Sequence, residues 1–510
     1  MPLLIAVMLG LLIGLYIAPQ PRCGSSSALS DKMLEMMQLV EEQYVDPIDG
    51  DTVTDALLNA MLLSLDPHSH YLSAAELQRE QESMQGNFEG IGVVLHYLGD
   101  TVYVDEVMAD GPSAGSMLRP GDCILAVDGD TVSGCGMSNE EVVRRIRGPR
   151  GTQVTLTVQR HGVSHPISIT IVRGRVSTPS VSFAGMLDRQ TGCIRLSRFA
   201  ETTADELHDA LKQLIGQGMQ RLVLDLRGNG GGLLDAAVAV ADELLPKRTM
   251  IVYTEGAHQR RKEIRAHGRG LFETGEVVVL VDENSASASE IVAGAVQDND
   301  RGLIYGRRTF GKGLVQRQFD LSDGSAFLLT VARYYTPSGR CIQRPYSHGS
   351  DEYYSDYLER LLEVPTTADS SALVRPLDDS TQFFTGQGRV VYGGGGICPD
   401  VLLPYRADEE SQAFNRLANS GRPMRVAFEY VIRNGAALTE RYADVESFIA
   451  QFSMSDLDRL LPEAKELSLQ QHRRMERLMQ AYIAHSLFGQ EAFYMIYNTI
   501  DDDLDCILHR

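Results

Sequence analysis

The sequence predicts a mixed α/β protein that is divided into several domains. With 510 residues, the chain is longer than one hydrophobic core usually supports. Residues 173–345 alternate strand and helix signals, which is the pattern of an α/β layer. The preceding residues, 86–172, contain short β-type runs separated by turn signals, and both ends of the chain have helical periodicity. We therefore expect an α/β core, a small β-rich module and two flanking helical regions.

An uncharged apolar run, Leu3 to Ala18, lies near the N-terminus. As a helix, its 16 residues would span roughly 24 Å, slightly less than a bilayer core of about 30 Å. No positive side chain precedes the run and no A-x-A cleavage site follows it. We interpret residues 1–22 as an uncleaved membrane anchor, with a cleaved signal peptide as the alternative. The anchor predicts that the rest of the chain lies outside the cytoplasm, in the periplasm or another compartment of the cell envelope.

Composition argues against nucleic-acid binding and against a metal or disulfide framework. The chain has 47 Lys and Arg against 68 Asp and Glu, a formal net charge of -21, whereas phosphate contacts need clustered positive charge. The seven cysteines are scattered, with no CxxC pair and no histidine at zinc-ligand spacing. We expect no nucleic-acid partner, no metal site and no cofactor.

Helical periodicity defines the two flanking regions. In residues 29–85, Met33, Met37 and Val40 share one apolar stripe, and Asp-Pro steps end the predicted helices. Residues 406–510 contain an amphipathic face that is typical of core or partner-helix packing, so a homo-oligomer is left open.

The two central regions are predicted to contain different elements. Residues 86–172 carry one clear helix, which the capping box Ser138 to Glu141 opens. Residues 173–405 are predicted to form the core, and within them a polar stretch, 346–389, is predicted to be an irregular inserted loop.

Two strand–turn–helix units carry candidate catalytic groups. Ser287 lies in a turn of small residues that follows a strand and precedes a helix, where its hydroxyl and the next amides share the positive end of that helix. Ordinary helix capping by serine is the alternative. The turn Gly228 to Gly232 follows the other strand, and it either supplies an oxyanion donor or simply makes a tight turn.

Lys312 is a candidate general base. From Gly306 the sequence spells GxxxxGK, but Gly313 replaces the Ser/Thr that a phosphate-binding loop requires, and a strand follows instead of a helix. A lysine pKa of about 10.4 must fall by roughly 3 units for catalysis near neutral pH, which burial can achieve. Gln316 shares the strand face of Lys312 and either orients its amine or lies on the surface. No convincing His–Asp pair competes for this role.

These motifs, in this order, resemble the C-terminal processing peptidases, also called tail-specific proteases. The resemblance covers about residues 30–405 and rests on the β-rich module and three segments. The segments are Asp225 to Gly232, Ser285 to Glu290, and Phe310 to Gly313 with Gln316. It implies a crotonase-like ββα-superhelix core with an inserted PDZ domain at residues 86–172. It also implies a serine endopeptidase whose substrates are proteins or peptides with flexible, apolar C-termini.

The resemblance assigns roles to individual residues. Ser287 is the implied nucleophile, Lys312 the general base and Gln316 the residue that orients the lysine, because the 25-residue separation of Ser287 and Lys312 matches the family. The oxyanion hole is implied to contain the amide of Ala288 and one amide among Gly230 to Gly232, with Gly231 and Gly232 as the candidates.

The PDZ assignment identifies a second candidate site. Gly90, Ile91, Gly92 and Val93 are positioned to offer backbone N–H groups to a terminal carboxylate, while a strand edge pairs with the incoming peptide. By resemblance, Arg147 links the peptide-bound PDZ domain to the assembled active site.

Two other functions remain open at this stage. A catalytically silent scaffold would bind protein tails through the same PDZ domain, although every dyad position holds the functional residue. An acyl-CoA enzyme is suggested only by the shared core fold, and it explains neither the PDZ domain nor Lys312.

Overall fold

The computed structural model describes residues 28–347, 349–362, 381–405 and 408–509, and it divides the chain into two compact units, Met1–Leu63 and Ser64–Arg510. The described part of the first unit consists of helices α1, Ala28–Gln43, and α2, Gly50–Leu63. The predicted anchor, residues 1–22, lies outside the described residues. Among the described helices, none has both the length and the apolar character that a membrane span requires.

The second unit begins with a short strand and a helix that lead into the β-rich module. Strand β1 is His70–Leu72, and helix α3 is Ala74–Gln85, which a capping box between Ser73 and Glu76 opens. A two-stranded sheet then joins β2 to β9 and closes the module at its ends. The two strands are Asn87–Gly90 and Gly174–Ser177.

The β-rich module is an antiparallel sheet with one helix against it. Its strand order is β3-β4-β5-β7-β8, with β6 paired to β5, so β3 is an edge strand. Helix α4, Asn139–Ile146, is capped by Ser138, as the sequence predicts. The strands are Val93–Leu98, Thr101–Val107, Cys123–Val127, Asp130–Thr131, Gln153–Gln159 and Ile167–Val172. Alternate strand residues such as Ile124, Leu156 and Val158 are fully buried and form its own core.

A six-stranded sheet forms the centre of the α/β core. Its order is β10-β11-β12-β15-β16-β21, and all neighbours after the antiparallel pair β10 and β11 are parallel. The strands are Val181–Met186, Thr191–Leu196, Arg221–Asp225, Glu276–Val281, Leu303–Gly306 and Val401–Leu402. The interiors of strands β12 and β15 are apolar, Leu222 to Leu224 and Val277 to Val281, because the faces of a parallel sheet are covered by helices. Those helices are α5, Thr203–Gly216; α6, Leu234–Asp242; and α7, Ala288–Asp298.

A second, antiparallel sheet lies beside the first and carries the lysine-bearing segment at its start. Its order is β1-β18-β13-β14, and β17 pairs with β18. The remaining strands are Met250–Gly256, Gln259–Arg265, Leu314–Asp320 and Ala326–Tyr335 for β13, β14, β17 and β18. A register shift occurs between Val315 and Gln316, which changes the side-chain alternation immediately after the lysine.

One expectation about the inserted region is wrong. The polar stretch 346–389 is not wholly irregular, because Ser350–Leu362 forms helix α8 and Gln382–Phe384 pairs with Val390–Tyr392 as strands β19 and β20. The first turn of α8 carries Asp351 and Glu352, which favour a helix N-terminus. Tyr353 packs on the core and is 3% exposed, and this burial stabilises a helix that its polar sequence does not predict.

The C-terminal region is helical and packs on both the module and the core. Its helices α9 to α15 are Glu409–Ala418, Arg422–Arg441, Val445–Gln451, Leu457–Leu460, Leu469–Phe488, Gln490–Tyr497 and Asp502–Leu508. The Phe428 ring lies 4.2 Å from the His96 ring of the module, and Ser486 Oγ donates to Asp105 at 2.6 Å. The prediction of a mixed α/β protein with a helical C-terminal region is confirmed.

Candidate active site

Ser287 occupies a strained position at the start of a buried helix. Strand β15 ends at Val281, and α7 begins at Ala288, so Ser287 is the N-cap residue. Its φ is 54° and its ψ is -110°, a backbone conformation that a residue with a side chain rarely adopts. Such strain persists only where surrounding contacts enforce it, and it is common at catalytic residues.

The neighbouring serines are committed to structural hydrogen bonds. Ser285 Oγ donates to the carbonyl of Leu226 at 2.8 Å, and Ser289 Oγ donates to the carbonyl of Asn229 at 2.8 Å. Both serines are fully buried, whereas Ser287 is half-buried. The structure therefore fastens the serine turn to the glycine-rich turn through Ser285 and Ser289 and leaves Ser287 as the accessible hydroxyl.

The glycine-rich turn is ordered by Asn229. Its Nδ2 donates to the carbonyl of Leu196, and its Oδ1 accepts from the amide of Gly231, both at 2.9 Å. A Cβ on Gly231, where φ is 105°, would lie 2.8 Å from Ser287 Cβ, and one on Gly232 would lie 2.1 Å from the carbonyl oxygen of Phe199. Only glycine permits this close approach of the two turns.

The predicted oxyanion donors differ in their present hydrogen bonds. The Gly231 amide is already paired with Asn229. By contrast, the amides of Gly232 and Ala288 donate to no acceptor within the described residues. Ala288 is the first residue of α7, where the helix leaves amides unpaired and positive partial charge collects.

Glu290 joins the serine segment to the lysine segment. Its Oε2 accepts from the amides of Ser287 and Lys312 at 2.8 and 2.9 Å, and its Oε1 accepts from the Gly311 amide and Thr309 Oγ1 at 2.7 and 2.6 Å. The side chain is fully buried, and burial raises its pKa to about 7 although the hydrogen bonds act in the opposite direction. Because each oxygen accepts from two donors, all four hydrogen bonds can form only when the carboxylate is ionised.

Tyr334 joins the same two segments from the other side. Its hydroxyl lies 3.0 Å from the carbonyl oxygen of Ser287 and is also hydrogen-bonded to the carbonyl oxygen of Lys312. Burial raises its pKa well above the usual range, so the phenol stays protonated and able to donate.

Lys312 is partly buried and oriented by Gln316. Its Nζ donates to Gln316 Oε1 at 2.9 Å, and Gln316 Nε2 donates to the carbonyl of His68. Burial lowers the pKa of Lys312, which favours the neutral amine that a general base needs. Within the described residues, no hydrogen bond joins Lys312 Nζ to Ser287 Oγ directly.

His68 was assigned by its sequence position to the N-terminal helical region, yet it lies against the lysine. Burial, and then the charge of Lys312, lower its pKa to about 3, so the imidazole is neutral. Its Nε2 lies 3.1 Å from Tyr353 Oη, which leaves it a packing and hydrogen-bonding role. The only sequence signal for this contact was the Asp66-Pro67 step followed by a short strand, and it was interpreted merely as a helix stop.

The predicted peptide site lies at the start of the module's edge strand. Gly92 has a φ of 73°, and its Cβ would lie 2.7 Å from Gly111 Cα, so only glycine fits at this position of the loop. Ile91 is buried, and Val93 begins β3, whose other edge is unpaired within the described residues. That open edge is the geometry that strand addition by a peptide requires.

Arg147 caps the C-terminus of α4 and connects the module to α3. Its Nη1 lies 2.6 Å from Glu82 Oε2, and its guanidinium lies 4.2 Å from the centre of the Phe88 ring. Glu80, on the same helix as Glu82, contributes to the electrostatic environment of Lys312. The contacts of Arg147 therefore join the end of α4 to Glu82 of α3 and to Phe88 of β2.

Within the described residues, no group of three or more His, Cys, Asp or Glu side chains is arranged to hold a metal ion. The chemistry of the site must be derived from the hydroxyl, amine, amide and carboxylate groups described above.

Comparison with known proteins assigns these regions to families. Residues 190–348 match peptidase family S41, residues 103–160 match the PDZ domain, and residues 413–489 match a family of unknown function, DUF8443. The predicted PDZ module is thereby confirmed, and the fold prediction agrees with these matches.

Individual relatives match over most of their own length. The carboxy-terminal-processing protease of Bartonella bacilliformis is 38% identical over 314 residues, which cover 61% of this chain and 71% of that protein. The carboxyl-terminal-processing protease of Synechocystis sp. is 36% identical over 341 residues, which cover 65% of this chain and 78% of that protein. The solved structure of a photosystem II D1 C-terminal processing protease is 34% identical in sequence. The match covers 61% of this chain and 89% of that chain, with a TM-score of 0.35.

Proposed function

Because the chain belongs to the carboxy-terminal-processing proteases of peptidase family S41 and is a serine-type protease, we propose that it cleaves flexible polypeptides with a Ser287 and Lys312 dyad. The observation that carries this proposal is the Glu290 carboxylate, which accepts hydrogen bonds from the amides of both residues. It brings together two segments that are 25 residues apart in the sequence, and it does so next to the half-buried hydroxyl.

The proposed reaction begins with proton transfer. Neutral Lys312 removes the proton of Ser287 as Oγ attacks the scissile carbonyl, and the resulting ammonium then protonates the leaving amine. The N–H donated by Lys312 to Gln316 Oε1 fixes the amine, so its lone pair keeps a defined direction. Because the two side chains share no direct hydrogen bond here, a short movement of the lysine or serine side chain must precede transfer.

The oxyanion of the tetrahedral intermediate needs two donors. We assign Ala288 as one, because its amide lies at the N-terminus of α7 and is unpaired within the described residues. Gly232 is favoured over Gly231 as the second, because the Gly231 amide would first have to leave Asn229. Removing one such donor typically costs about 100- to 1,000-fold in kcat.

Substrate recognition is assigned to the PDZ domain. A protein tail would add to the free edge of β3, with its terminal carboxylate at the loop from Gly90 to Val93 and its apolar side chain against α4. A fluorescent peptide with an apolar, free C-terminus should bind, and the same peptide with an amidated C-terminus should bind at least tenfold more weakly. Equal binding of both peptides would remove the carboxylate site from the proposal.

A catalytically silent scaffold would bind the same peptides without cleaving them. The deciding experiment compares the wild type and Ser287→Ala on a flexible protein with an apolar tail, with the exposed Ser420→Ala as a matched control. The dyad predicts that only Ser287→Ala loses cleavage while it keeps peptide binding. Equal, slow cleavage by wild type and Ser287→Ala would favour the scaffold.

Location and membrane attachment remain proposals that rest on the apolar run Leu3 to Ala18. We propose that residues 1–22 anchor the protein with its protease part outside the cytoplasm. Protease accessibility of a C-terminal epitope in intact spheroplasts tests this, because a cytoplasmic protease part would stay protected.

A further inference from the structure

The four residues from Asp66 to Ser69 form a buried turn that a single carboxylate closes. Asp66 Oδ1 accepts from the amides of His68 and Ser69 at 2.9 and 2.8 Å, and Asp66 Oδ2 accepts from Ser69 Oγ at 2.6 Å. Asp66 is 7% exposed and Ser69 is fully buried. An Asp66 that served only as a helix stop would need none of these bonds.

This turn is fastened to the hairpin that carries Gln316. The next residue, His70, begins strand β1 and pairs with Leu328 of β18. Ser69 Oγ accepts from the amide of Thr330 at 3.0 Å, and Thr330 is opposite Gln316 in the ladder between β17 and β18. The turn therefore contacts the residue pair of the hairpin, Gln316 and Thr330, that contains the glutamine next to the lysine.

The contact with Gln316 determines which amide atom faces the lysine. Gln316 Nε2 donates to the carbonyl of His68, and an amide nitrogen can only donate. Its Oε1 is thus left to accept from Lys312 Nζ at 2.9 Å. Without the carbonyl of His68, the amide would be free to rotate and present its nitrogen to the amine, which would repel the donated N–H.

We propose that the Asp66–Ser69 turn is a positioning element of the catalytic lysine, which orients Gln316 through the carbonyl of His68 and stabilises the ammonium form of Lys312 through the Asp66 carboxylate. The inference rests on the proposed function, in which Lys312 is the base. It adds residues from the N-terminal side of the PDZ domain to the site.

The charges around Lys312 support the electrostatic part. Burial lowers its pKa, and the carboxylates of Asp66, Glu290 and Glu80 act in the opposite direction, with Asp66 the largest of the three. His68 faces the amine as a neutral imidazole. Replacing Asp66 by an uncharged residue should therefore lower the pKa of Lys312 further and shift its deprotonation to lower pH.

The test measures Lys312 itself as well as catalysis. Competitive labelling with acetic anhydride over a pH series, followed by peptide mass spectrometry, gives the deprotonation midpoint of Lys312 in a Ser287→Ala background. The variants are Asp66→Asn and, as a matched control, Asp323→Asn, whose carboxylate closes the turn at the far end of the same hairpin by accepting from the Ser325 amide and hydroxyl at 2.9 and 2.6 Å. The midpoint should move to lower pH only in Asp66→Asn.

Two further variants separate geometry from charge. Ser69→Ala keeps the Asp66 charge but loses the bond to Thr330, so kcat should fall about tenfold or more with the labelling midpoint unchanged, since small misplacements of reacting groups are costly. An unmoved midpoint in folded Asp66→Asn overturns the electrostatic part, and wild-type kcat in Ser69→Ala overturns the positioning part. If Asp66→Asn does not fold, the labelling is repeated with Asp66→Ser, and Ser69→Ala still decides the positioning part. Wild-type cleavage by Lys312→Ala would instead refute the proposed function.

Discussion

The main-chain amides of Ser287 and Lys312 donate to the same oxygen, Glu290 Oε2, at 2.8 and 2.9 Å. The two segments that carry the proposed nucleophile and the proposed base are thus held together by a shared acceptor in the protein interior. The same carboxylate accepts from Thr309 and Gly311, so loss of this acceptor would release the whole loop before the lysine. One buried carboxylate therefore joins the two segments, and the Tyr334 hydroxyl joins them from the other side.

Replacing that charge by a neutral amide should disassemble the site. In Glu290→Gln, the amide keeps one acceptor atom but turns its nitrogen toward two donors, so we expect kcat to fall at least 100-fold, as for other misaligned active sites. Peptide binding to the PDZ domain should be unchanged. Glu76→Gln, which removes the capping-box glutamate of α3, is the control and should keep most of the activity. Cleavage by Glu290→Gln at the wild-type rate would contradict this role.

Activity and stability should respond to pH with opposite signs through Glu290. The pKa of this residue is raised to about 7 from 4.5, so folding favours its protonated form. Its stabilising contribution is fully present below pH 4.5 and is lost as pH rises through about 7, a change of ~3 kcal/mol. Relative to Glu290→Gln, the wild type should therefore lose unfolding free energy between pH 4.5 and 8 in urea denaturation.

The kcat/KM of the wild type should instead rise with pH through 7. Protonating Glu290 removes an acceptor from the four-donor arrangement, and protonating Lys312 removes the base, so both groups require the higher pH. The measurement is a pH profile with a flexible substrate whose own charge does not change between pH 5 and 9. A profile that falls across neutrality would show that neither group acts as described.

Adjacent glycines offer a matched test of the turn geometry. A Cβ on Gly231 would lie 2.8 Å from both Ser287 Cβ and the carbonyl oxygen of Ala286, whereas one on Gly230 meets no atom within 4 Å. Gly231→Ala should therefore abolish cleavage, and Gly230→Ala should retain most of it. Assays of both purified variants, with circular dichroism to establish folding, check this. Equal activities would mean that the two turns do not need to approach closely.

Arg147 should matter for substrate-dependent activation rather than for chemistry. Its bond to Glu82 connects the PDZ helix α4 to α3, so Arg147→Ala should reduce cleavage of tailed proteins several-fold and leave cleavage of short peptides without a tail unchanged. Arg144→Ala, on the exposed face of α4, is the control. Unchanged kinetics on both substrates would count against a connecting role.

The residues proposed to be catalytic could be singled out from sequence because their signals are local. Each signal lies within a few positions of the sequence. The signals are the small residues around Ser287, the glycines beside Lys312 and the four-residue separation of Lys312 and Gln316. Glu290 was concealed because a glutamate three residues after a helix-initiating serine has an ordinary capping explanation. Its bonds to Gly311 and Lys312 depend on tertiary packing, which no local pattern encodes.

The Asp66–Ser69 turn and helix α8 were missed for the same physical reason. The turn meets Gln316 across 248 residues, and Tyr353 of α8 is ordered by His68 and a buried Arg344 rather than by apolar periodicity. The sequence also did not show which glycine amide is paired. The Gly231 amide donates to Asn229 Oδ1, and the composition of the turn does not specify this hydrogen bond. Sequence therefore predicted candidate reacting groups but not the hydrogen bonds that hold their segments together.

The central claim is that Lys312 activates Ser287, and covalent labelling tests it most directly. Wild type and Lys312→Ala are treated with a fluorophosphonate from pH 6 to 9, and peptide mass spectrometry locates the modified residue and its rate of modification. We predict modification at Ser287 in the wild type, faster at higher pH, and at least 100-fold slower modification in folded Lys312→Ala. Modification of another residue, or equal rates in both proteins, would contradict the account.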